Sequence, residues 1–390
     1  MFYNNVAQIY TFLACLPSLN AFFATSVCSS SAFLINFVGL FGLKRPKRET
    51  LHAIMIKSLQ SLRGIFAIII VIYHYYDRSL PVVTAMACGV SFFFIMSGFA
   101  LGIHHPVSSL KGFGFMAFMR NRLAKVYPIH LMLTLAMVVF LGIGWKLWVN
   151  VLLLQSWFPQ HDVWFSYNGV SWFVASLVFC YLFYGVFSYW SLRQRPAVSF
   201  GVIAAAAIAL MAAILLVPSD SQRWFYHVFP LSRLIDFALG VVLARIYKTP
   251  SLKITSRTST WLAEACLAII LVIILAPRVH GIPRPFYLSV VWFIPLSLLI
   301  IALGRGEQQG TALTRILSWK PLVWLGGISF EIYMLQVIVS ILVGKLAAII
   351  LGHSFHPIVY ITIILVLVIT ISWFTHSYFS TPIARRLKRK

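Results

Sequence analysis

The chain has 390 residues, 61% of them hydrophobic and only 10% charged, with a formal net charge of +23. Soluble domains carry about 25% charged residues, so there is too little polar surface here to coat a soluble globule. The basic excess does not indicate nucleic acid, because Lys and Arg fall in short connectors between apolar runs rather than along one stripe.

Residues 1–43 contain no charge, the first being Lys44. Either an extra helix over 9–25 or 32–43 precedes the first clear span, or the natural start is Met55. A secretory signal peptide would need a basic beginning, which is missing. Residues 1–54 are therefore set apart as an N-terminal extension, and 55–390 form one transmembrane domain. Ten apolar runs follow, close to the length that crosses a hydrocarbon core of about 30 Å. They cover 56–76, 82–103, 126–143, 170–190, 197–217, 228–246, 261–276, 286–303, 322–343 and 358–374. The run 148–158 is too short to span and reads as a re-entrant or interfacial piece. A spanning segment must satisfy its own backbone hydrogen bonds, so the expected fold is an all-α bundle of about ten or eleven transmembrane helices.

Placing the segment before residue 56 in the cytoplasm puts 23 of the 31 Lys and Arg in one set of connectors and six in the other, with Arg63 and Arg233 inside spans. Positive charge is retained on the cytoplasmic side. The expectation is a multi-pass protein of the inner (plasma) membrane, with the start of its first span and its C-terminus cytoplasmic. Cys15, Cys28, Cys88, Cys180 and Cys266 all lie in apolar stretches, without the paired spacing of a metal site or a disulfide framework.

An ionised side chain within a span costs about 2.5–3.5 kcal/mol on insertion scales, so each needs a reason. The first span carries Arg63 and His74, eleven residues apart. That is close to three turns and about 16 Å along one helix face. The pair offers a cation and a titratable base, or a lone His bonded to a neighbouring helix. Ser91, Ser97 and Gly98 allow close helix approach in the second span. Arg120, Arg122 and Lys125 mark a basic mouth that serves topology and anionic lipid, or a phosphate pocket in which Arg presents a two-pronged fork. Arg233 and Asp236 are three apart and neutralise each other on one helix. Glu264 lies in the seventh span. Glu331 is alone in the ninth and needs a partner, for which Arg63 and Arg233 are the candidates.

These pieces occur together, in order, in a known family. The region 58–387 resembles the acyltransferase family 3 membrane proteins. Leu62-Arg63-Gly64, with ten residues between Arg63 and His74, resembles the family's opening motif. The stretch 89–99 resembles its Ser-Phe-Phe-x-x-Ser-Gly-Phe block, and 120–128 its Arg-Arg-x-x-Arg-x-x-Pro block. Asn168-Gly169-Val170-Ser171-Trp172, Arg233-Leu234-Ile235-Asp236 and Ser329-Phe330-Glu331-Ile332-Tyr333 resemble later ones. Asn121 and Lys125 stand at two of the basic positions of the 120–128 block, and three acid or base positions depart: Leu177 stands where the family has Glu, Gln336 where it has His, and Ser380-Thr381 where a Glu precedes the last Pro.

The resemblance implies an O-acyltransferase acting on carbohydrates, glycolipids or other envelope substrates. Its donor would be acetyl-CoA or another acyl-CoA, used as a co-substrate with no resident cofactor or metal. Arg120, Arg122 and Lys125 would meet the CoA phosphates, and Arg63 would orient a substrate. The thioester would thread inward to His74, acting as base or nucleophile. Ser91, Ser97, Arg233, Asp236 and Glu331 would support the site. Trp157, Trp164, Tyr167 and Trp172 form either a sugar-stacking rim or a bilayer-interface belt. A transporter and an inactive member of the same fold are the competing readings.

Overall fold

The computed structural model describes residues 56–75, 86–249, 254–275, 283–351 and 355–388. The extension 1–54, the alternative start Met55, the predicted ends at 76, 82 and 276, and Cys15 and Cys28 lie outside the described residues. Among the described residues there is no strand, and nine helices are long and apolar enough to cross a membrane. A tenth, Cys88–His104, is apolar and 17 residues long, and it carries the second predicted span.

The ten principal helices are α1 (Lys57–Tyr75), α2 (Cys88–His104), α3 (Phe115–Leu141), α4 (Trp172–Arg193) and α5 (Pro196–Ala212), then α6 (Pro230–Lys248), α7 (Ser256–Leu275), α8 (Phe293–Gln309), α9 (Ser329–Leu351) and α10 (Pro357–Thr375). A π-helical turn, His376–Ser380, leads into the basic helix α11 (Thr381–Lys388). Pro at the first helical position opens α5, α6 and α10, where its missing N–H costs nothing. The predicted short piece is a seven-residue helix, Trp145–Val151, followed by one 3₁₀ turn.

Two predicted boundaries move for physical reasons. Helix α3 begins at Phe115, eleven residues before the predicted start at 126. Its first turns are basic, and long basic side chains extend their charge away from the apolar body of a helix. The run 322–343 is two helices, Lys320–Gly327 and α9, because Gly326-Gly327 interrupts it.

Close contacts fix the helices that build the site. A Cβ on Gly98 would overlap the Phe237 carbonyl oxygen, and one on Gly240 the Ile95 carbonyl oxygen. Only hydrogen at those positions lets α2 and α6 cross this tightly. A Cβ on Gly326 would likewise strike the Gln60 carbonyl oxygen of α1. The first amides of α1 are satisfied by a distant carboxylate. Glu307 accepts from Lys57 N at 2.8 Å, from Ser58 N at 2.7 Å and from Ser58 Oγ at 2.6 Å. Anionic charge at a helix N-terminus is favourable, so α8 pins the start of α1 and with it the height of Arg63.

Candidate active site

A cavity of about 950 Å³ opens among α1, α2, α3, α4, α9 and α11. Its outer part is cationic. Arg122 and Lys125 come from α3, Arg385 and Lys388 from α11, and His104 and His105 from the end of α2. Arg122 donates to His105 Nε2 at 3.3 Å and lies 5.5 Å from the Phe118 ring centre. Burial, and then the Arg122 charge, hold His105 below the usual histidine range. The anchored start of α1 adds Gln60 and Arg63, joined at 3.0 Å. Deeper walls are apolar and aromatic: Phe93 and Met96 of α2, Phe173 and Leu177 of α4, and Tyr333 of α9.

The predicted residues divide into three groups. Arg63, Ser97, Arg122, Lys125 and Glu331 meet in this cavity. Arg120 is not among its lining residues and is exposed. The basic block is helical, so Arg120 lies about 200° around α3 from Arg122. Ser97 donates to its own helix, to Phe93 O at 2.7 Å.

Ser91, Arg233 and Asp236 form a separate, fully buried cluster. Arg233 approaches Asp236 to 3.5 Å and donates to Ser91 Oγ at 3.3 Å, to Leu288 O at 3.4 Å and to Tyr226 O. A buried guanidinium paired and bonded in this way ties α6 to α2 and to the turns at Trp224–Val228 and Arg284–Leu288. Glu264 is exposed on α7, away from both groups.

His74 belongs to neither group. Its Nδ1 meets Gln336 Oε1 at 2.8 Å. Gln336 Nε2 donates to Tyr333 O at 2.8 Å, which turns the amide oxygen toward the imidazole. His74 Nδ1 therefore carries a hydrogen, and in the neutral ring Nε2 carries the lone pair. His74 does not line the cavity. Arg63 and His74 share a face of α1 as the spacing predicts, but Phe66 and Ile70 occupy that face between them, 4% and 0% exposed. Phe66 stacks on Phe92 at 4.2 Å, and Ile70 packs on Gly89. The expected continuous route from Arg63 to His74 is filled by these side chains.

The aromatic rim is corrected too. Trp164, Tyr167 and Trp172 are buried, at 3%, 7% and 4% exposure, and only Trp157 is open. Those rings pack the loop before α4 rather than line a surface. Tyr167 OH donates to Gly142 O at 2.9 Å, and Trp172 lies 4.8 Å from His227.

The residue that the sequence reading missed is His376. Glu331 lies near enough to Arg63 for their charges to attract, as the sequence suggested, but its hydrogen-bonding partner is neither Arg63 nor Arg233. Its Oε1 lies 3.0 Å from His376 Nδ1, and His376 Nε2 lies 3.2 Å from Thr381 Oγ1. All three side chains line the cavity. Two of the departures from the family pattern, Leu177 and Ser380, line it as well, and the third, Gln336, holds His74.

The comparisons agree with this architecture. The family model for the acyltransferase domain, acyltransferase family 3, matches residues 56–377. Acyltransferase MdmB of Streptomyces mycarofaciens is 29% identical over 287 residues, covering 67% of this chain and 70% of that protein. No solved structure matches the chain. The chain thus belongs to the acyltransferase family 3, and it is a multi-pass membrane acyltransferase.

Proposed function

We propose that the protein is an O-acyltransferase that takes an acyl group from acetyl-CoA or another acyl-CoA and transfers it to a hydroxyl of a cell-envelope carbohydrate or glycolipid. The cationic half of the cavity carries this reading. Arg122, Lys125, Arg385 and Lys388 gather at one mouth, and charge-assisted hydrogen bonds from such groups suit the phosphates of CoA. In the inner (plasma) membrane that mouth faces the cytoplasm, where acyl-CoA is made. Arg120, outside the cavity, is left to attract phosphate or anionic lipid headgroups at the surface.

Arg63 lies deeper and orients the acyl-bearing arm. Phe93, Phe173 and Tyr333 surround the thioester end with apolar surface. His74 is the proposed base for an acceptor on the opposite side. Its Nε2 lone pair, fixed by the Gln336 bond, takes the hydroxyl proton as the oxygen attacks the thioester carbonyl. Transfer to such an acceptor requires the packing of Phe66, Ile70 and Tyr333 to yield when both substrates are bound.

Binding of acetyl-CoA to the purified full chain tests the donor assignment. The wild type binds and the Arg122→Ala/Lys125→Ala double variant binds at least about tenfold more weakly, since each charged hydrogen bond contributes about 1.5–3 kcal/mol. Equal affinities would refute it. A transporter would move its substrate without releasing CoA.

A further inference from the structure

The Glu331–His376–Thr381 chain has a geometry that a structural tie does not need. Glu331 is in the first turn of α9 with its side chain only 4% exposed, while the His376 side chain is 38% exposed. The carboxylate is shielded, and the imidazole that it holds is open to the cavity. An ionised carboxylate only accepts, so its 3.0 Å contact puts the hydrogen on His376 Nδ1. In the neutral imidazole, Nε2 then carries the lone pair and accepts from the Thr381 hydroxyl at 3.2 Å. Carboxylate, imidazole and hydroxyl stand in the order that activates hydroxyls in acyl-transfer enzymes on unrelated folds.

The position is as informative as the order. Gln336, which holds His74, is five residues beyond Glu331 on α9, about 7.5 Å along the helix axis. Tyr333 lies between them and closes the cavity wall. The carboxylate-held imidazole is thus on the donor side of that wall, and the amide-held one beyond it.

We propose that His376 is a catalytic base of the donor cavity, with Glu331 as its positioning carboxylate, acting on a hydroxyl or a water that enters from the same side as acyl-CoA. This rests on the acyl-CoA reading above. The Thr381 hydroxyl marks where the incoming oxygen sits. His376 Nε2 takes the O–H proton while that oxygen bonds to the thioester carbonyl carbon. The C–S bond breaks, and the CoA thiolate recovers the proton from the imidazolium. The products are an ester, or a carboxylic acid when water is the acceptor, and free CoA. The reaction needs no oxidant, metal or further co-reactant.

The test uses purified full-length protein, acetyl-CoA as the probe and water as the acceptor, reading acetyl-CoA binding and thiol release separately. His376→Ala is expected to bind acetyl-CoA as the wild type does and to release CoA about 100-fold more slowly, the usual contribution of a general base. Added imidazole should restore part of that rate, which it would not do for a structural tie. Glu331→Gln is expected to lower kcat about tenfold at unchanged KM, a loss of positioning alone. Wild-type release in His376→Ala overturns the proposal, as does binding by the wild type without any release. Parallel loss of binding and release in both His376→Ala and His376→Gln assigns the pair to folding and also overturns it. Failure of the wild type to bind acetyl-CoA sinks the donor reading, and this inference with it.

Discussion

His74 and His376 are oriented alike by different chemistry. Each imidazole has Nδ1 fastened to an oxygen of α9, Gln336 at 2.8 Å for one and Glu331 at 3.0 Å for the other. In the neutral ring, each therefore presents Nε2 as the basic nitrogen. The difference is in the partner and the surroundings. His376 has a carboxylate behind it and an open cavity before it; His74 has a neutral amide and packed side chains. A carboxylate stabilises the imidazolium that forms as a proton is taken, whereas an amide fixes orientation only. The proposed function, with donor and acceptor on opposite sides of the membrane, has use for both environments.

Substitutions separate the two imidazoles. The largest expected effect is from His74→Ala, which should slow acylation of envelope glycans about 100-fold or more at normal protein level, read by mass spectrometry of the glycans. Wild-type acylation would remove His74 from the chemistry. Next comes the cationic mouth. Arg122→Ala/Lys125→Ala should weaken acetyl-CoA binding at least about tenfold, with the remaining affinity less sensitive to salt. Gln336→Leu should cost about 1 kcal/mol of orientation, roughly a fivefold fall in glycan acylation. An unchanged rate would mean that the amide is packing rather than positioning.

The smallest effect concerns the frame rather than the chemistry. Glu307→Gln keeps a hydrogen-bond acceptor at the start of α1 but removes the charge. It should lower stability by about 0.3–1 kcal/mol, measured by thermal unfolding in detergent, with acetyl-CoA affinity nearly preserved. A large loss of affinity at unchanged stability would show that Glu307 acts on the donor directly.

Apolar run length and the placement of Lys and Arg make the bundle legible, because bilayer thickness imposes both. Boundaries are less legible where charge and helix coincide. The start of α3 is concealed by its own basic residues, and the same helical turns carry Arg120 away from Arg122. Arg63 and His74 do lie on one face, as helical period requires. Spacing along a single helix says nothing of what packs on that face, so the Phe66–Phe92 stack that separates them is invisible in the sequence. The partner of Glu331 is hidden for a related reason. His376 is 45 residues away on another helix, and no local pattern links the two.

Photolabelling with a photoreactive acyl-CoA shows whether acyl-CoA occupies the cationic cavity. Labelled peptides are expected from the first turns of α3 and from Thr381–Lys388, with labelling suppressed by excess acetyl-CoA. Competable labelling confined to Trp145–Val151 and the loop before α4, on the other side of the packed layer, would contradict it.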